Sequence, residues 1–140
     1  MAISFDKLTV KAQEALQESQ REAENRGHQE IGVEHLLVAL LAQEGGVVVP
    51  IIEKVGADIS ALNLALEETL GKLPKIHGIT QVHIGGNLNA LFNAAHTGAE
   101  ELKDEYISTE HLFLAMLDPK SAVVDVLARS GQRYLHPLFR

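Results

Sequence analysis

The chain has 140 residues, 46% of them hydrophobic with only two Tyr, four Phe and no Trp, which is aliphatic material for one compact domain or two small fused ones. Its formal charge of -7 opposes condensation onto phosphate backbones, so nucleic acid is not an expected partner, and with no cysteine neither a disulfide framework nor a thiolate metal site is available. The opening Met-Ala-Ile-Ser-Phe-Asp lacks the parts of a secretory signal, the apolar stretch 45–52 is interrupted by Pro50, and no apolar run approaches the roughly 20 residues that span a bilayer, so the expected setting is the cytoplasm, away from membranes.

In chain order, Ala12, Ala15, Leu16, Ser19 and Ala23 recur at helical spacing and predict a first amphipathic helix, whose small residues suit close packing. Gly27 supplies the backbone freedom that a helix C-terminus uses. A short apolar helix is expected over 33–41, entered through Gly32, with Glu34 in the first turn facing the positive end of the helix dipole. A third helix over 48–55 tolerates Pro50 only in its first turn, and Gly56 closes it. Asp58 is the expected N-cap of a fourth, with Ile59, Leu62, Leu66 and Leu70 on one stripe. Residues 73–86 contain Pro74, three glycines and β-branched residues without helical period, and are read as a linker.

Beyond the linker the pattern begins again. Leu88, Leu91, Phe92, Ala95, Ala99 and Leu102 mark a helix, a short apolar helix follows over 109–117 from Ser108, and a third is expected over 121–129 with Gly131 after it. A shift of 76 positions superimposes Ile31, Glu34, His35, Leu36, Ala39 and Leu41 on identical residues, and places Leu16 on Phe92 and Ala23 on Ala99. The chain is thus an internal duplication, with one copy over about 3–72, the linker over 73–86 and the second copy over about 87–131. The tail 132–140 contains Pro137 and shows no stripe, so the fourth helix of the second copy is not expected.

Phe5-Asp-Lys-Leu-Thr9 before a helix, Gly-Val-Glu-His-Leu-Leu at 32–37, Leu73-Pro74 before the linker and Tyr106-Ile-Ser-Thr-Glu-His-Leu112 together resemble the duplicated N-terminal domain of Clp chaperones, with a linker like that of the ClpB branch. The resemblance covers about residues 3–131, and two Glu-His-Leu motifs in one register are far more specific than a single short motif. It implies an all-α fold of about eight helices, in two four-helix repeats related by a pseudo-twofold axis, the last of them missing from the pattern of this sequence. It also implies tethering to the rings of a hexameric ATPase that disaggregates and refolds stress-denatured proteins. ATP would serve that full-length protein. Here the only Gly-Lys pair, Gly71-Lys72, is followed by Leu73 and has Leu66 where a phosphate-binding loop needs its first glycine, so no nucleotide cofactor is expected in this domain.

No catalytic residue is assigned. His35 and His111 adjoin carboxylates but read as helix-start histidines set by packing, His77 and His83 lie in the linker without partners at metal-ligand spacing, and Glu67-Glu68 and Glu100-Glu101 read as solvated faces. No metal is expected. The resemblance implies an apolar groove that holds unfolded or aggregated polypeptide, with Thr9, Asp104 and Glu110 as its polar edge and Phe92 and Ala94 in its lining; Thr9 reads equally as a plain N-cap, and Phe92 also reads as core. His111 stands where some ClpB domains carry leucine. The alternative, a ClpC or ClpA type of domain, implies that Glu34 and Glu110 receive an adaptor or a phosphoarginine tag for regulated proteolysis. The isolated domain is expected to be a monomer.

Overall fold

The computed structural model describes residues 4–54, 56–76, 78, 81–118, 120–121, 123–124 and 126–127. Among them are six α-helices: α1 (Val10–Asn25), α2 (Val33–Ala42), α3 (Val48–Lys54), α4 (Ile59–Gly71), α5 (Gly86–Glu101) and α6 (Thr109–Met116). A short 3-10 turn, Phe5–Lys7, precedes α1, and two strands of two residues each, β1 (Glu30–Ile31) and β2 (His83–Ile84), pair in parallel.

The amphipathic stripes become the core. Ala12, Ala15, Leu16, Ser19 and Ala23 of α1 are all buried, and the Ser19 hydroxyl is satisfied within the helix by donating to the Leu16 carbonyl at 2.6 Å. The central helix α2 is buried over most of its circumference, through Val33, Leu36, Leu37, Ala39 and Leu40, as a helix apolar nearly all round must be. It packs against α1, α3 and α4 and also reaches α5 and α6. Pro50 is the third residue of α3, where its missing N–H costs no intrahelical bond. Asp58 caps α4 by accepting from the Ser60 and Ala61 amides. On the surface Arg26, at the end of α1, holds Glu22 at 3.0 Å and reaches across to Glu67 of α4 with two bonds of 2.7 and 2.9 Å. The Glu67 partnership raises the Arg26 pKa and lowers that of Glu67. Glu67 lies on a solvent-exposed face, as its sequence neighbourhood implied, and also clasps α4 to the end of α1.

The duplication is visible in the backbone. Shifted by 76 positions, α1 falls on α5 from first residue to last, and α6 lies on α2. The halves also exchange strands. Ile31 pairs with Ile84, and Leu8 bridges Ile107; these are the same pairing with the two copies interchanged. The Gly85 amide accordingly donates to the Ile31 carbonyl at 2.9 Å and the Thr9 amide to the Ile107 carbonyl at 3.0 Å.

Two expectations need correction. The structure has six helices among the described residues where about eight were expected: the third helix of the second copy is represented there by one turn, in which the Leu127 amide donates to Val123, and residues 122, 125 and 128–140, with Gly131 and the tail, lie outside the described set. The repeat is therefore seen in two helices per half. The linker 73–86 contains the two-residue strand β2. Leu102 is also no part of the core: α5 ends at Glu101 and Leu102, its C-cap, is 63% exposed.

Candidate functional site

Each half has a corner where the long helix turns into the short one, and the two corners are built alike. After α1, Gly27 adopts φ +75°, and the His28 amide reaches back to the Ala23 carbonyl at 2.9 Å, a Schellman closure. After α5 the same closure is made with Lys103 at φ 61° and the Asp104 amide bonded to Ala99 at 2.9 Å. Three residues into the next helix stands the duplicated histidine. His35 Nδ1 accepts from the Gly32 amide at 2.8 Å, and His111 Nδ1 accepts from the Ser108 amide at 2.9 Å. The other ring nitrogen meets the residue that closes the turn, His28 Nδ1 at 2.8 Å in the first half and the Asp104 carboxylate at 2.9 Å in the second. Both histidines are thus packing residues at helix starts, as their spacing implied.

The corners differ in what they show to solvent. In the first, His28 and His35 are 3% and 1% exposed, and Glu34 is 9% exposed. Burial first, then the positive Arg26 and Lys75, holds the His28 pKa below its usual value, while burial and the neighbouring His28 bring His35 down to about 4. These rings, Glu30, Glu34, Asn87 and the apolar Leu73, Pro74 and Ile76 line a cleft of about 240 Å³. Asn87 donates to Glu34 at 3.5 Å. His83 does have a carboxylate partner, since strand pairing brings it within 3.3 Å of Glu30; among the described residues no group of three ligands is assembled for a metal. His77 lies outside the described residues.

In the second half Asp104, Glu105 and Glu110 surround a shallow recess of about 370 Å³ whose other walls are Leu102, Tyr106, Ser108, His111 and Leu114. Leu102, Tyr106 and Leu114 are 63%, 51% and 47% exposed, a run of large apolar side chains that a solvated surface seldom keeps together without use. Leu102 and Leu114 also line an adjoining hollow of about 200 Å³ between α5 and α6, with Ala94 and Ala115.

The structure therefore brings together Ala94, Asp104 and Glu110 along one surface, and leaves two expected site residues elsewhere. Phe92 is 4% exposed and belongs to the core, so it has no surface to offer a groove. Thr9 is the N-cap of α1, its hydroxyl accepting from the Ala12 amide at 3.2 Å, and it lines neither hollow. Sequence reasoning missed Leu102, Tyr106 and Leu114. A signal existed for Leu114, which is a leucine placed between two stripe positions of a short helix.

The sequence profile described as the Clp repeat (R) N-terminal domain matches residues 7–130. The chain belongs to this family. A curated relative of this Clp N-terminal domain, the chaperone protein ClpB of Nitratidesulfovibrio vulgaris, is 41% identical over 132 residues, covering 91% of the chain and 15% of the relative. The chain thus spans a small part of that protein's length. Among solved structures, the Hsp104 N-terminal domain from Candida albicans superimposes with a TM-score of 0.80 at 15% identity, over 89% of this chain and 82% of that one. A ClpV N-domain in complex with a VipB peptide does so with a TM-score of 0.73 at 19% identity, over 96% and 85%. The latter two establish the shared fold. No helix among the described residues is long and apolar enough to cross a membrane.

Proposed function

We propose that this Clp N-terminal domain delivers unfolded or aggregated polypeptide to the ATPase rings of a ClpB-type disaggregating chaperone in the cytoplasm, and that it holds its client on the second-half surface formed by Leu102, Tyr106 and Leu114 with Asp104, Glu105 and Glu110. The observation that carries this reading is the adjacency of three exposed large apolar side chains and three carboxylates around one recess. Apolar area gives affinity without demanding a sequence, and the carboxylates favour clients that carry Lys and Arg. The 41% identity to a ClpB chaperone supports the branch, and the peptide seen on a ClpV N-domain supports polypeptide as the ligand class. No catalytic step is assigned to the domain, and ATP turnover belongs to the longer protein.

The tag-binding alternative would use Glu34 and Glu110 symmetrically, yet Glu34 is nearly buried and bonded to Asn87 whereas Glu110 is exposed. Symmetric two-site binding is disfavoured on that ground.

Affinity measurements on two variants test the reading. Leu114→Ala removes a half-exposed side chain and should weaken binding of an unfolded polypeptide by about 1 kcal/mol, roughly fivefold, with little change in stability. Phe92→Ala should instead cost about 3–5 kcal/mol of stability. Normal binding by a folded Leu114→Ala variant, with saturable uptake of a phosphoarginine peptide, would replace this reading with the alternative.

A further inference from the structure

The first-half corner contains two buried histidines whose hydrogen bonds leave no place for an added proton. The Gly32 amide is a donor, so His35 Nδ1 must be the acceptor, and the ring proton of neutral His35 sits on Nε2. That proton is donated to His28 Nδ1 at 2.8 Å. The proton of His28 is then on its own Nε2, which is buried and has no hydrogen-bond partner among the described residues. A third proton on the pair must go to a nitrogen already receiving a bond. On His35 Nδ1 it would confront the Gly32 N–H, and on His28 Nδ1 the His35 N–H.

The surroundings do not soften this conflict. Glu34 of α2 is the carboxylate that favours a charged His28, and it is itself engaged by Asn87. Arg26, the C-cap of α1, and Lys75 of the connecting segment oppose the charge; Glu22 and Glu67 are committed to Arg26, and Glu30 of β1 to His83 of β2. The second half resolves the same geometry differently. There Asp104 stands in place of His28, so an added charge on His111 faces a carboxylate at 2.9 Å, and Ser108, in place of Gly32, offers a hydroxyl oxygen 3.0 Å from Nδ1. The corner with two histidines is also the one on which the connection between the halves rests: the Ile76 amide donates to the Gly27 carbonyl at 3.0 Å and the His83 amide to Gln29 at 3.2 Å.

We propose that the His28–His35 pair is a proton-operated latch, which in mild acid releases the corner between α1 and α2 together with Ile76 and β2, which are bonded to it, while the Asp104–His111 corner stays closed. Release uncovers Glu34 and opens the cleft it lines.

The sign follows from linkage. A histidine whose pKa is depressed in the closed corner binds its proton only when the corner opens, so the closed form is fully favoured above the ordinary histidine pKa of 6.5 and loses ground as pH falls toward about 4. From His35 alone, protection against opening should fall about thirtyfold between pH 7.5 and pH 5. The experiment follows amide-exchange protection, corrected for intrinsic rates, at His28, Gly32 and Ile76, with Asp104 and Ser108 as the matched reporters in the second half. The first set should lose protection by that factor and the second should not. In His28→Asp, which copies the second corner, the loss should disappear. Nitrogen chemical shifts of the wild-type imidazoles provide a reading that needs no variant: both rings should hold the Nε2–H tautomer and titrate together with the loss of protection. Equal behaviour of the two corners, or a ring that charges near pH 6.5 while Gly32 stays protected, overturns the proposal.

Discussion

Lys103 sits in the left-handed region at φ 61°, where the equivalent residue of the first half is Gly27. A side chain there costs roughly 1–2 kcal/mol relative to glycine, partly offset because glycine is looser in the unfolded chain. Lys103→Gly should therefore raise stability by about 0.5–1 kcal/mol in urea unfolding, and a destabilised variant would show that the lysine is held by interactions the turn geometry does not reveal. The same residue explains a misreading. In the first half a glycine announces where the helix stops; in the second the stop is hidden behind a lysine, so the apolar stripe was continued one position too far, to Leu102. His28 was equally hard to find from the sequence, because it reaches His35 seven positions away only after the Schellman turn has reversed the chain.

At the scale of the elements, caps and stripes carried most of the information. Thr9 and Asp58 are N-caps whose oxygens accept from the amides of the first turn, and the buried faces of α1, α4 and α5 follow their sequence periodicity. Thr9→Ala should cost about 1 kcal/mol of stability, measured by thermal melting, and leave the affinity for unfolded polypeptide unchanged. A loss of affinity at unchanged stability would return Thr9 to the binding surface. The strands were not legible for a physical reason: two residues cannot show alternation, and what defines them is pairing across more than fifty positions, Glu30 with His83 and Ile31 with Ile84. The exposed trio of Leu102, Tyr106 and Leu114 was hidden in the same way, since it converges from a helix end, a loop and a helix face.

Across the whole molecule, the 76-position repeat explains both the architecture and its asymmetry. Each half contributes a strand position to the other, through Ile31 with Ile84 and Leu8 with Ile107, and α2 of the first half packs on helices of both, so the halves share one core. On that common frame the two corners have diverged, one closed around paired histidines and a buried Glu34, the other open with acids and apolar side chains at the surface. The two copies share the fold, and the proposed client surface belongs to the second copy alone. The most direct measurement is a map of backbone amide shifts as an unfolded polypeptide rich in lysine and large apolar residues is added to the domain. The shifts should concentrate on residues 102–114 and on Ala94, and weaken in part as salt screens Asp104, Glu105 and Glu110. Shifts confined to the Glu34 cleft, or none at saturating client, would contradict the assignment.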